Sequence, residues 1–152
     1  ELLPVKRYTI KSLEEEIDEI IKTGKILERD KKIIRLEDIF SYLTSDIYEN
    51  LLYSDKYYKE MPINFYIPSS YYDNSLKSGN ILSSGVIDLL FITNDTYNIV
   101  DYKTDKVSSM DELKDLYKIQ LDLYEIALRE KMNAKNVKKF IYSIYLGKFI
   151  EV

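Results

Sequence analysis

The chain has 152 residues, 45% hydrophobic and 32% charged with no apolar run approaching about 18 residues, which fits a single cytoplasmic domain of bacterial type and excludes a membrane-spanning helix or a signal peptide. It contains no cysteine and no histidine, so disulfides, iron–sulfur clusters and imidazole catalysis are excluded, and any metal must be held by oxygen, as magnesium, manganese or calcium would be. The net charge of -4 has the wrong sign for a broad basic surface that grips nucleic acid.

In chain order, Ser12 followed by Glu15 reads as a capping box, and Leu13, Ile17, Ile20 and Ile21 recur at helical spacing until Gly24, so a helix is predicted over 12–23. A Lys/Arg-rich connection leads to a second helical region over 36–43, with a continuation over 46–53. The pattern then changes. Met61, Ile63, Phe65 and Ile67 alternate with other residues, which predicts a strand, and Pro62 within it argues for a sheet edge or a strand start. Residues 69–79 are rich in Ser, Asn, Asp and Gly and read as a loop. Strands follow over 81–92 and 97–103, then a helix over 110–132 capped by Ser108 or Ser109, then a closing hairpin around Gly147 and Lys148. The order of helices, three strands, helix and two strands describes one α/β domain, with 1–54 helical and 55–152 carrying the sheet. Its 15 tyrosines admit two readings, a base-stacking surface or genomic codon bias.

The middle of the chain carries an oddity. Asp88 interrupts the aliphatic run GVIDLLF, and Asp101 and Lys103 fall in a second apolar run, IVDYKTDK. If the hairpin closes symmetrically on Asn94-Asp95, Asp88 lies opposite Asp101, and Lys103 emerges on the same face as Asp101. Facing carboxylates repel unless they share a proton or a cation. A divalent ion held by Asp88, Asp101 and the backbone carbonyl of Tyr102 answers that repulsion, and Lys103 then orients or deprotonates the attacking water. This residue set suits metal-assisted phosphodiester hydrolysis. A structural ion-pair cluster at a sheet end is the other reading of the same spacing. On the following helix, Gln120 and Tyr124 are one turn apart, either reaching toward the carboxylates or serving as a satisfied buried amide and ordinary core. Glu60 either projects toward the same place or lies on the surface.

Taken together, GVIDLLF, IVDYKTDK and the helix YKIQLDLYEIAL resemble the PD-(D/E)XK nuclease superfamily, and within it the C-terminal nuclease domain of the AddA/RecB helicase–nucleases, AddA in particular, over residues 55–152. The segment YYKEMPINF is similar to the strand that precedes the catalytic hairpin in that family, which makes Glu60 a secondary metal-ligand candidate. The resemblance implies a mixed sheet flanked by helices, with a restriction-endonuclease-like core. It implies Asp88 and Asp101 as magnesium ligands, with manganese able to substitute, Lys103 as the catalytic lysine, and Gln120 and Tyr124 as residues that position the DNA strand. It further implies an exonuclease-type deoxyribonuclease acting in repair and recombination at double-strand breaks. Its partners would be DNA, a helicase portion of the same polypeptide and a second, AddB-like nuclease protein, with no iron–sulfur cluster in this domain. A non-catalytic DNA- or partner-binding module on the same fold is the alternative.

The family pattern also has a histidine on a helix before the first strand, and this chain has none. The expectation is that the chain is a piece of a larger polypeptide whose residue 1 falls just after that position. The isolated piece is then expected to bind magnesium weakly and to cleave DNA poorly or not at all.

Overall fold

The computed structural model describes residues 2–71, 75 and 78–152; Glu1 and residues 72–74, 76 and 77, the tip of the expected 69–79 loop, lie outside it. Three helices come first: α1 (Ile10–Lys22), α2 (Leu36–Leu43) and α3 (Asp46–Leu52). The strands and last helix follow as β1 (Lys56–Pro68), β2 (Asn80–Thr93), β3 (Thr96–Lys103), α4 (Met110–Met132), β4 (Asn136–Ser143) and β5 (Lys148–Glu151).

Local chemistry explains most of these limits. The α1 cap is Thr9 rather than Ser12: the Ser12 N–H donates to Thr9 Oγ1 at 3.1 Å and the Thr9 N–H donates to Ser12 Oγ at 2.9 Å. Ser12 is therefore the returning half of a capping box, and the helix begins two residues earlier than expected. Gly24, at φ 74°, supplies the left-handed residue just past the helix end. The basic connection winds into a 3-10 helix over Glu28–Ile33, and Ser45 caps α3 as a separate helix. Ser109 caps α4 by accepting from the Glu112 N–H, while the Glu112 carboxylate accepts from the N–H and hydroxyl of Ser108. Both serines are used.

The five strands form one mixed sheet in the order β1-β2-β3-β4-β5. All neighbours are antiparallel except β3 and β4, which are parallel and joined through α4. Strand β1 is an edge, the place in a sheet where a proline such as Pro62 is accommodated. It starts at Lys56, ahead of the alternating segment, because its first rungs pair with Leu89, Leu90, Phe91 and Ile92 of β2.

Each face of the sheet carries its own apolar cluster. On one side Ile63, Phe65, Ile87, Leu90, Ile99 and Ile141 pack under Leu113, Leu121, Ala127 and Leu128 of α4. On the other, Leu89, Phe91, Val100, Phe140 and Tyr142 meet Leu13, Ile17 and Ile21 of α1, Leu43 of α2 and Tyr48 and Leu51 of α3. Burial on both faces explains the unbroken apolar stretch Leu89, Leu90, Phe91 and Ile92 of β2. Full burial of each Leu or Ile contributes about 1.5–3 kcal/mol, so either layer outweighs any single polar interaction described below.

One irregularity decides where the site lies. Ile87 and Leu90 both pack toward α4, although they are three positions apart, so the in–out alternation of β2 slips across Asp88. On β1 the matching pair is Tyr58 and Met61, and between them Glu60 adopts a left-handed conformation at φ 49°. The β1–β2 register steps from Lys59↔Leu89 to Met61↔Ile87, which puts Glu60 and Asp88 at the same level. The pairing of the two strands skips that level.

Candidate active site

The β2–β3 hairpin turns on two residues, Asn94 and Asp95, both left-handed at φ 49° and 58°, which matches the twist of a two-residue hairpin loop. The rungs run from Thr93↔Thr96 to Leu89↔Val100, the symmetric register expected from sequence. The ladder stops one step before Asp88 and Asp101 would pair. There the Asp88 carboxylate takes the place of a strand carbonyl, and Oδ2 accepts the Tyr102 N–H at 2.7 Å.

Asp101 is 2% exposed on the last buried stretch of β3. Burial pushes its carboxyl above the usual carboxylate range, Lys103 pulls it back, and the charge of Asp88 pushes it up again, so the two acids feel one another across the opening strands. Lys103 Nζ lies 2.7 Å from Asp101 Oδ2. The two form a buried ion pair, through which Lys103 meets the charge of the Asp101 carboxylate.

Lys103 is held from the α4 side. Its ammonium donates to Gln120 Oε1 at 3.1 Å and stands 3.9 Å from the centroid of the Tyr117 ring. Gln120 Nε2 donates to the Tyr124 hydroxyl at 2.9 Å, and that hydroxyl donates to the Val86 carbonyl at 3.0 Å. Tyr124, 5% exposed, lies directly over Gly85, where any Cβ would sit 2.6 Å from its ring. Both expected helix residues are thus brought to the site, engaged with Lys103 and the β2 backbone. Asp101, Lys103, Gln120 and Tyr124 form one connected set, and Asp88, held by the Tyr102 N–H, acts on it through its charge at Asp101.

Glu60 is exposed at the level of Asp88, and no three acidic side chains are gathered closely enough to hold a metal among the described residues. On the opposite face, Tyr102 projects into the helical layer, where its hydroxyl meets that of Tyr42 and its ring lies edge-on to Tyr42 and Tyr142. A cavity of about 460 Å³ opens between the N-terminal helices and the sheet, mostly apolar, with Asp38, Lys59 and Asp88 among its polar walls.

Sequence spacing did not single out Tyr117, Asp105 or Gly85. Tyr117 carries a legible signal, since it precedes Gln120 by three positions and Tyr124 by seven, the spacing of one helical face.

A carboxylate pair at a strand fork with a lysine two residues after the second acid is the signature of one nuclease family, and the model of that family, the PD-(D/E)XK nuclease superfamily, matches residues 12–149. The chain belongs to the PD-(D/E)XK nuclease superfamily. Its mixed sheet flanked by helices is the restriction-endonuclease-like arrangement of that superfamily, as the sequence led one to expect. Among curated relatives, the chain is 35% identical to an ATP-dependent helicase/nuclease protein of Staphylococcus haemolyticus, over 95% of this chain and 13% of the relative. It is 35% identical to the same-named protein of Ligilactobacillus salivarius, over 93% of this chain and 12% of the relative. A Clostridium botulinum relative of that name is 31% identical over 92% of this chain and 11% of its own length. The chain therefore spans only about an eighth of the length of the curated relatives it matches. The family match begins inside α1, well before the expected start at residue 55. No helix among the described residues is long and apolar enough to cross a membrane.

Proposed function

We propose that this chain is the DNA-cleaving domain of a cytoplasmic helicase–nuclease polypeptide, hydrolysing phosphodiester bonds of unwound strands during double-strand break processing. The observation that carries the reading is the buried Asp101 at the β2–β3 fork, ion-paired to Lys103 and feeling the charge of Asp88 from the neighbouring strand. The names of the curated relatives, which join a helicase to a nuclease, supply the context, and a second, AddB-like nuclease protein is the expected partner.

Two acids against one lysine leave a net negative site that a divalent cation would balance. Asp88, Asp101 and the Tyr102 carbonyl would hold it, with Glu60 as a secondary candidate. When bound, magnesium, or manganese in its place, would lower the pKa of the attacking water and stabilise charge building on the phosphate. The chain's own groups supply the rest. The Tyr102 N–H pins Asp88 through one oxygen, leaving its charge at the fork. Lys103 holds or transfers a proton at Nζ, and Gln120, tied through Tyr124 to Val86, fixes where that nitrogen stands. Gln120 and Tyr124 thereby position the DNA strand indirectly, through the lysine that meets it. With metal charge as the local attraction, the domain needs few basic residues of its own.

The test is Asp101→Ala and Lys103→Ala in the full polypeptide, assayed for magnesium-dependent DNA degradation and, separately, for ATP-dependent unwinding. Degradation should fall by at least about 10³-fold, in the range typical of lost catalytic groups, with unwinding intact. Unchanged degradation would leave a non-catalytic module on this fold.

A further inference from the structure

We infer that Tyr117 is a positioning residue for Lys103, its ring face forming a third wall around the ammonium beside Asp101 and Gln120. The inference rests on the nuclease reading of Lys103. A lysine reaches its site on a flexible four-carbon stem, so its usefulness depends on how many directions are closed to it. Asp101 restrains Nζ from β3 and Gln120 Oε1 from α4. Tyr117 lies one turn N-terminal to Gln120, and at 3.9 Å its ring presents the electron-rich face to the cation. The ring is itself anchored. Its hydroxyl donates to Asp105 Oδ2 at 3.0 Å, and Asp105 follows Lys103 by two positions as the chain leaves β3. The tether therefore closes a loop: strand end to Asp105, Asp105 to Tyr117, Tyr117 back to Lys103. Burial, Asp105 and Asp101 all push the Tyr117 phenol above its usual pKa, which keeps it neutral and donating over the working pH range. Gln120 and Tyr117 play different parts: the amide gives the ammonium a direction, and the ring excludes water from its open side.

The test compares Tyr117→Phe, Tyr117→Leu and Lys103→Ala in the full polypeptide, measuring kcat and KM for magnesium-dependent DNA cleavage beside ATP-dependent unwinding. Tyr117→Phe keeps the ring over the ammonium and should retain kcat within about threefold, whereas Tyr117→Leu should lower kcat about tenfold with KM moved less than about twofold. A purely structural tyrosine would not show rescue by Phe confined to kcat. If Tyr117→Leu matches Tyr117→Phe, or its loss falls on KM, while Lys103→Ala abolishes cleavage, the positioning role is overturned and the nuclease reading stands. If Lys103→Ala leaves cleavage unchanged, the nuclease reading fails and this inference with it. Should Tyr117→Leu not fold, Tyr117→Met, which refills the space without a ring face, takes its place under the same criteria.

Discussion

Replacing Gly85 by Ala tests the seat of Tyr124, because two effects of opposite sign compete. Gly85 does not adopt a left-handed conformation, so alanine is compatible with its backbone, and reduced freedom of the unfolded chain alone would stabilise the protein by about 0.4–1 kcal/mol. Against this, the added Cβ would lie 2.6 Å from Tyr124 Cε1, 2.9 Å from its hydroxyl oxygen and 3.1 Å from Cζ. The ring is buried and cannot swing into solvent, so overpacking costs about 1–3 kcal/mol. Displacing the hydroxyl from Val86 and Gln120 removes a further 0.5–1.5 kcal/mol or so. The net expectation is destabilisation by about 2 kcal/mol, or a fall in melting temperature of roughly 4–8 °C for a chain of this size. Thermal unfolding followed by circular dichroism measures it. Combining Gly85→Ala with Tyr124→Leu should make the alanine neutral or stabilising, since the ring that it strikes is gone. A melting temperature that rises in Gly85→Ala alone would refute the close approach, and with it the tether from Val86 through Tyr124 to Gln120.

Alkaline pH should unfold the domain earlier than its composition suggests. Burial raises the phenols of Tyr42 and Tyr102 above their usual range and pushes Tyr8 up to about 12, so the stability these neutral phenols contribute is complete below about pH 10 and is lost as pH rises through the folded-state values. Tyr42→Phe should cost about 1 kcal/mol near neutrality through the lost hydroxyl contact with Tyr102, yet flatten the alkaline slope; a slope identical to the parent's would contradict the assignment. At the hairpin, Asp95→Gly should relieve a left-handed non-glycine residue and raise stability by roughly 0.5 kcal/mol with cleavage unchanged, as read from a chemical denaturation midpoint; a lowered midpoint would show that the turn is not strained there.

What the sequence determined by itself is whatever depends on neighbours within a few positions. The extent of α2 follows from apolar spacing and that of α4 from apolar spacing and its Ser109 cap, and the Asn94-Asp95 turn sets the β2–β3 register that carries Asp88 toward Asp101 and places Lys103 beside Asp101. The superfamily was legible for the same reason, because its signature lies in one hairpin and one helix. What the tertiary structure alone decided involves partners far apart in the chain. The slip at Asp88 coincides with the skipped level at Glu60 on β1, the β2–β3 ladder ends one rung short, and Asp88 accepts the Tyr102 N–H. The rotation of α4 over the sheet decides that Gln120 and Tyr117 converge on Lys103 and that Tyr124 needs a glycine beneath it. Periodicity says which helix face is buried, but only packing against a particular strand says which side chain on that face reaches which atom.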